Sequence, residues 1–363
     1  MTSLRAAAAE FRLPAAIVAV FAVLGVLFQA ALGYPRMLQH IVWLPVIGYH
    51  IVTGSCFLGL MLLLFRWQHR GADGLWIPGF RGWRAALAEG RLEADLRGRT
   101  ARVAVASLLT AIGATVFDSW KIAIPRLAPF SWDPVLSRLD TAIHGRPPWE
   151  YLSALLHWPD GMWLIELIYL SFIPMLAIMT LWHAWSRDER NRRRFYFCFT
   201  AAWFAVGVIL AMAFSSAGPA FYALVTGKPG PYAPLLSQLH QVGAQVEMAS
   251  TRIQAALWSV YANGETPAIA GISAMPSLHI AIPTLYCLAA RRWWSRLGFA
   301  LYTTGIWVAT IALGWHYAVD GYVAAAASVG VWVLSGRIVR PHPLPHAVAA
   351  APEIAAPETV ASA

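Results

Sequence analysis

Charge is scarce in this chain. Of its 363 residues only 12% are Asp, Glu, Lys or Arg, against about 25% in a typical soluble domain. A soluble protein of this length would hold two or three domains, but the apolar runs are too long and too frequent for that, and 58% of the residues are hydrophobic. Strict apolar–polar alternation is missing, which excludes a membrane β-barrel. Cysteine is rare: Cys56, Cys198 and Cys287 are the three, each inside an apolar run, too few for a disulfide framework and suited to packing. No cluster of His, Cys and carboxylates has metal-ligand spacing, so neither a metal nor another cofactor is expected. No internal repeat is present. Basic runs interleaved with exposed aromatics are also absent. The net charge of +9 therefore points to membrane topology and anionic lipid rather than nucleic acid.

What is present is an all-α pattern. Eight stretches, approximately 13–33, 41–65, 101–118, 161–184, 195–215, 274–290, 296–314 and 317–336, are long or apolar enough to cross a bilayer, where a span needs about 20 apolar residues. The first is longer than the h-region of a cleaved signal and reads as a retained helix. The sixth is the weakest, being short and holding Pro276 and Pro283. A polytopic helix bundle follows, because lipid leaves backbone no other way to satisfy its polar groups. Orientation comes from the basic residues. With eight spans, 20 of the 27 Lys and Arg fall on the side of both termini and the loops at 66–100, 185–195 and 291–296. The positive-inside rule makes that side cytoplasmic. The 18 tryptophans read as interfacial anchors.

Two long loops lie on the opposite side. In the first, 119–160, Asp133 and Pro134 look like a helix cap and first turn. Val135, Leu136, Leu139 and Ile143 then share one face, the spacing of a helix lying in the membrane interface. On this reading Asp133 is a cap and Asp140 sits on a solvated face. The second loop, 216–273, opens with the turn signals SSAGP and GKPGP and continues with a short helix in MASTRIQAALWSVYANGE. It is a candidate lid. On the basic side, RAALAEGRLEADLRGR reads as a membrane-surface helix. Residues 338–363 are rich in Pro, Ala and Glu and read as a disordered tail.

The chemistry concentrates in GISAMPSLHIAIP and LGWHYAVDGY. His316 and Asp320 stand four apart, which on a helix places them on one face. A carboxylate there takes the proton of one imidazole nitrogen, fixes the tautomer and frees the other nitrogen to attack. A structural His–Asp pair at a helix end is the alternative. Pro276 allows a helix to begin, with Ser277, Leu278 and His279 in its first turn. Unpaired N–H groups and the positive dipole end suit such a start to a phosphate, and His279 is then a candidate general acid. Span counting brings His279, His316, the region of Asp118 and Lys121, and Ser215 with Ser216 to one membrane face. Ionisable groups gathered at one membrane level are costly and usually functional. Glu166 and His50, inside apparent spans, read more readily as helix–helix hydrogen-bonding groups than as site residues.

MPSLH and GWHYAVD resemble the second and third signature motifs of the type 2 phosphatidic acid phosphatase superfamily. The nearest pattern is its inositolphosphotransferase-like branch, which includes fungal inositol phosphorylceramide synthase and related bacterial proteins. DSWKIAIPRLAPFSWDP, RLDTAIHGRPPWEYL and FSSAGPAFY resemble the bacterial members, and the resemblance runs from about 101 to 336. It implies a six-helix catalytic core within 101–337, preceded by two extra spans and a basic loop in 1–100. It also implies a metal-independent reaction with His316 as nucleophile, Asp320 as its orienting carboxylate and His279 as acid and then base. Ser277 would contact phosphate oxygens. A membrane lipid phosphate or phospholipid would be the substrate, in a bacterial inner membrane with the site facing the periplasm.

Two motif arginines are missing. The first motif has Lys, six residues, then Arg-Pro; here Lys121 is followed at that spacing by Ala128 and Pro129. The third has Ser-Arg ahead of its histidine, where this chain has Ala309 and Thr310. Developing phosphoryl charge still needs cations. Lys121 and Arg126 are the candidates, with Arg252 behind them. The departures favour transfer of a phosphorylated group to a hydroxyl over hydrolysis by water. A proton-coupled transporter and a non-catalytic membrane scaffold are the readings of another class; a transporter predicts ionisable residues deep in several spans.

Overall fold

Backbone inside lipid must pair its own N–H and C=O groups. A computed structural model describes residues 2–32, 59, 91–264 and 271–339, and among these every regular element is a helix. Apart from residue 59, the expected span 41–65, with His50 and Cys56, lies outside the described residues, as do the loop up to residue 90 and the tail beyond 339.

In chain order the principal helices are α1 (Thr2–Glu10), α2 (Arg12–Leu32), α3 (Arg91–Leu127), α4 (Asp133–His144), α5 (Pro159–Leu170) and α6 (Phe172–Trp185). They continue as α7 (Glu189–Phe204), α8 (Ala233–Gly243), α9 (Ala249–Ala262), α10 (Leu278–Ala289), α11 (Trp293–Ala312) and α12 (Ala318–Ile338). Among the described residues four stretches are long and apolar enough to cross a membrane: Asp95–Leu127, Pro159–Trp185, Glu189–Ala213 and Ala318–Ile338. The pair Ser3–Glu10 and Arg12–Phe28, bent by 65°, makes a fifth when its two pieces are taken as one span. These match five of the stretches expected from sequence. The expected sixth is the 12-residue α10, which rises only about 18 Å at 1.5 Å per residue. It lies at the centre of the bundle, packed against α7, α11 and α12. Residues 91–99, expected on the membrane surface, instead run without a break into α3. Apolar periodicity does not show where a polar helix end stops being surface and becomes the extension of a span.

A large core joins α2, α3, α6, α7, α10 and α12 through Phe117, Trp120, Phe195, Phe204, Ile282 and Tyr286 among others. A second core, under α4, gathers Leu136, Met162, Leu235, Leu313 and Tyr317. The ends of the bundle differ in charge. At one, Arg99, Arg102, Arg192 and Arg194 bond to the Trp185 and Ala184 carbonyls, to Glu10 and to Ser335. At the other, the end of α3, the end of the α7 span, the start of α10 and the turn from α11 to α12 meet, tied by bonds such as Ala274 N–H to Ser216 O and Ala220 N–H to Gly314 O.

α4 lies across this second end. Pro134 sits in its first turn, and Gly145, with φ +80°, closes it by donating to Thr141 O. Val135, Leu139 and Ile143 are exposed, as an interfacial helix requires, whereas Leu136 faces the core. The assignments of Asp133 and Asp140 are corrected. Asp133 is the first residue of α4 rather than its cap, and both carboxylates are buried rather than solvated. The helix carries two faces over seven residues, and the polar ones point inward because backbone donors await them there.

Candidate active site

His316 and Asp320 meet, but not on one helical face. α12 begins at Ala318, so His316 lies in the turn before it. Asp320, the third helical residue, turns its carboxylate back over the helix start. Its Oδ2 accepts the Tyr317 N–H at 3.0 Å and lies 3.2 Å from His316 Nδ1. The expected pairing is present, and helix-start geometry rather than i,i+4 stacking makes it. With Nδ1–H donating to the carboxylate, Nε2 carries the lone pair. That nitrogen stands 3.4 Å from Nδ1 of His279. His316 and Asp320 are 7% and 0% exposed, so the pair is withdrawn from solvent.

His279 is the second residue of α10, and Ser277 is the residue that precedes the helix. The Ser277 carbonyl accepts from Ile280 and Ala281, and its N–H donates to the Asp320 carbonyl at 3.4 Å, joining the starts of α10 and α12. The Ser277 hydroxyl is fully buried and has no hydrogen-bond partner among the described residues. Phe172 and Tyr169 wall the His279 ring, with centroids 4.5 and 4.8 Å away. Trp315 stacks near-parallel on Tyr169, and its buried Nε1–H likewise has no partner among the described residues.

The cations divide. Lys121 is half-buried near the end of α3 and interacts electrostatically with both His279 and His316. Arg126 is exposed and gives Nη2–H to the Gly264 carbonyl at 2.9 Å, just past α9. Arg252 is exposed, 3.9 Å from Glu247. Where an Arg was missing ahead of His316, Thr310 is fully buried, and its carbonyl accepts the N–H groups of both Trp315 and His316. That position shapes the turn.

The lid sequence is attached at several points. Glu166, inside a span, accepts the Ser250 N–H at 2.6 Å and so caps α9. Gln254 donates to the Leu313 carbonyl at the end of α11. Gly218 has φ +98°, and a Cβ there would come within 2.6 Å of the Trp315 carbonyl, so the SSAGP turn fits against the histidine turn only as glycine.

Sequence reasoning missed the roles of Asp133 and Asp140. Both oxygens of Asp133 accept the Ala217 N–H, and Oδ1 also takes Gly218 N–H and Tyr317 O–H. Asp140 accepts the N–H groups of Ala318 and Val319. Burial raises both carboxyls above their ordinary value, opposed by these N–H donors. The available signal was their spacing: seven residues apart, they share the α4 face of Leu136 and Ser137, opposite the exposed apolar one.

A model of the PAP2 superfamily matches residues 134–334. Neither the curated proteins nor the solved structures give a match.

Proposed function

Because the chain belongs to the PAP2 superfamily, whose members are generally phosphatases or phosphotransferases, we propose that it is a membrane enzyme moving a phosphorylated group from a lipid phosphate or phospholipid through a phosphohistidine. The observation that carries this reading is the continuous line from Asp320 through His316 to His279, at 3.2 and 3.4 Å.

The His316 Nε2 lone pair attacks phosphorus, and the bond from phosphorus to the leaving oxygen breaks. Protonated His279 gives its proton to that oxygen. Asp320 holds Nδ1–H and offsets the positive charge that forms on the imidazole. In the second step His279 takes the proton of an acceptor hydroxyl, whose oxygen attacks phosphorus as the N–P bond breaks. Phosphorus about 3 Å from one nitrogen and a leaving oxygen about 3 Å from the other do not fit between nitrogens 3.4 Å apart. Substrate entry therefore parts the rings. Ser277, with its unpartnered hydroxyl, and Lys121 serve the phosphate oxygens.

The acceptor we favour is a hydroxyl-bearing lipid or head group, as in inositolphosphotransferase-like transfer. Both arginine positions of the motifs hold other residues, and α9, anchored to α5 and to the end of α11, is placed to act as a cover that keeps water out. Residues 101–337 would form the catalytic unit, with a six-helix core among eight spans. By the positive-inside rule the site faces the periplasmic or extracellular side of a bacterial plasma membrane.

The test incubates the purified chain with labelled lipid phosphates and phospholipids, with and without inositol, glycerol and ceramide. Head-group transfer is expected for the chain and its abolition in His316→Ala. Phosphate release at equal rate without any acceptor would make it a phosphatase. Full activity in His316→Ala would remove the proposed nucleophile.

A further inference from the structure

The two histidines belong to different segments, and their separation is set by whatever holds those segments together. His279 follows the strand of chain 271–277, which hangs on the 215–218 turn: Ser216 accepts the Ala274 N–H through its carbonyl and the Met275 N–H through its hydroxyl, at 2.9 and 3.0 Å. His316 and Asp320 belong to the start of α12. The direct link between the two, Ser277 N–H to Asp320 O, is long at 3.4 Å.

α4 grips both. Asp133 takes the Ala217 and Gly218 N–H groups at 2.8–3.1 Å, on the His279 side, and Tyr317 O–H at 2.8 Å, next to His316. Asp140, two turns along, takes Ala318 N–H at 2.8 Å and Val319 N–H at 2.9 Å. Those amides are the first two of α12, immediately before Asp320. Each Asp140 oxygen serves one amide, so the ionised carboxylate fits and an amide side chain does not: its NH2 would face a backbone N–H. Both aspartates are almost wholly buried, at 1% and 2% exposure, and neither carboxylate bonds to His279 or His316; the nearby imidazole is that of His144, whose Nδ1 bonds the Asp140 backbone carbonyl at 2.7 Å. Burial of two carboxylates is costly unless their bonds are kept, and here five donors from the two segments of the site supply them.

We propose that Asp133 and Asp140 are positioning residues, which from α4 set the distance and facing of His279 and His316 and the seat of Asp320. What they position rests on the reading of these three as the reacting groups. Groups that orient metal-ligating residues from one layer away typically change activity about 10–100-fold when altered, and the same order is expected here.

The test uses the full chain in lipid–detergent micelles, with Asp140→Asn, Asp133→Asn and, as a control on the exposed face of the same helix, Arg138→Gln. Nitrogen NMR of labelled histidine rings reads the His316 tautomer, assigned by its loss in His316→Gln. Turnover is read with whichever labelled lipid phosphate or phospholipid the unaltered chain uses. Expected are a single Nδ1–H form in the unaltered chain and in Arg138→Gln, and a mixed or inverted tautomer in both aspartate variants. Their kcat is expected to fall about 10–100-fold with KM changed less than about threefold. Aspartate variants that melt earlier but keep the His316 ring signals and kcat overturn the proposal. If the unaltered chain turns over nothing, the proposed function fails and the ring signals alone decide the positioning. If Asp140→Asn does not fold, Asp133→Asn is read in the same way. Failure of both to fold assigns the pair to folding alone and overturns the proposal.

Discussion

At His316 the account turns on one proton. Nδ1–H points to Asp320 Oδ2, and the lone pair on Nε2 faces His279. Asp320→Asn keeps the size of that side chain but can present an NH2 to Nδ1, which selects the wrong tautomer. Turnover in that variant is expected to fall by roughly 10³-fold or more with the chain still folded. A variant within about threefold of the parent in a direct lipid assay would contradict the role of Asp320. The pair itself was legible in GWHYAVD, because four-residue spacing brings two side chains together both on a helix and across its start. What was not legible is that Asp320 also secures the Tyr317 N–H. Nor could sequence separate Lys121 from Arg126 as phosphate cations. Both lie near the end of α3, five residues apart, and only the fold shows one acting electrostatically on both histidines and the other bonded to Gly264.

Among the elements, α9 best shows how loop and bundle are joined. Ser250 N–H would be an unpaired first-turn donor without Glu166, which reaches it from inside a span. Glu166→Leu keeps bulk and removes the acceptor, at a cost of about 0.5–2 kcal/mol to the start of α9. Hydrogen exchange is expected to quicken across 249–262 and to stay slow in α12. Unchanged exchange in α9 would show that Gln254 alone holds it. The spans behave as their apolar runs dictate, since α3, α7 and α12 needed only length and composition to be placed. α4 was half legible. Its exposed Val135, Leu139 and Ile143 follow from amphipathic spacing, but spacing describes a helix by its apolar face, and the buried donors that take up Asp133 and Asp140 come from residues 217–218 and 317–319, far away in sequence.

Across the whole molecule charge and chemistry occupy opposite ends. Arg99 and Arg102 at the start of α3, the arginines at the start of α7 and Arg291 at the α10–α11 junction lie at one, and both histidines at the other. If the basic end is cytoplasmic, a cysteine at Lys228 in intact cells takes a membrane-impermeant maleimide, and one at Arg187 does so only after lysis. The reverse pattern would invert the topology. That the helix ends bearing the site gather on one side was readable by counting spans, since each crossing fixes the side of the next. The bonding between those ends was not, because it joins loops through backbone atoms that leave no mark in residue types. The central claim is a covalent phosphorus on His316, and rapid quenching with a phosphorus-labelled lipid substrate tests it most directly. The account predicts acid-labile, base-stable label on the peptide that contains His316, formed and lost at the rate of turnover and absent from His316→Ala. Turnover with no label on that peptide, or label that persists in His316→Ala, would contradict it.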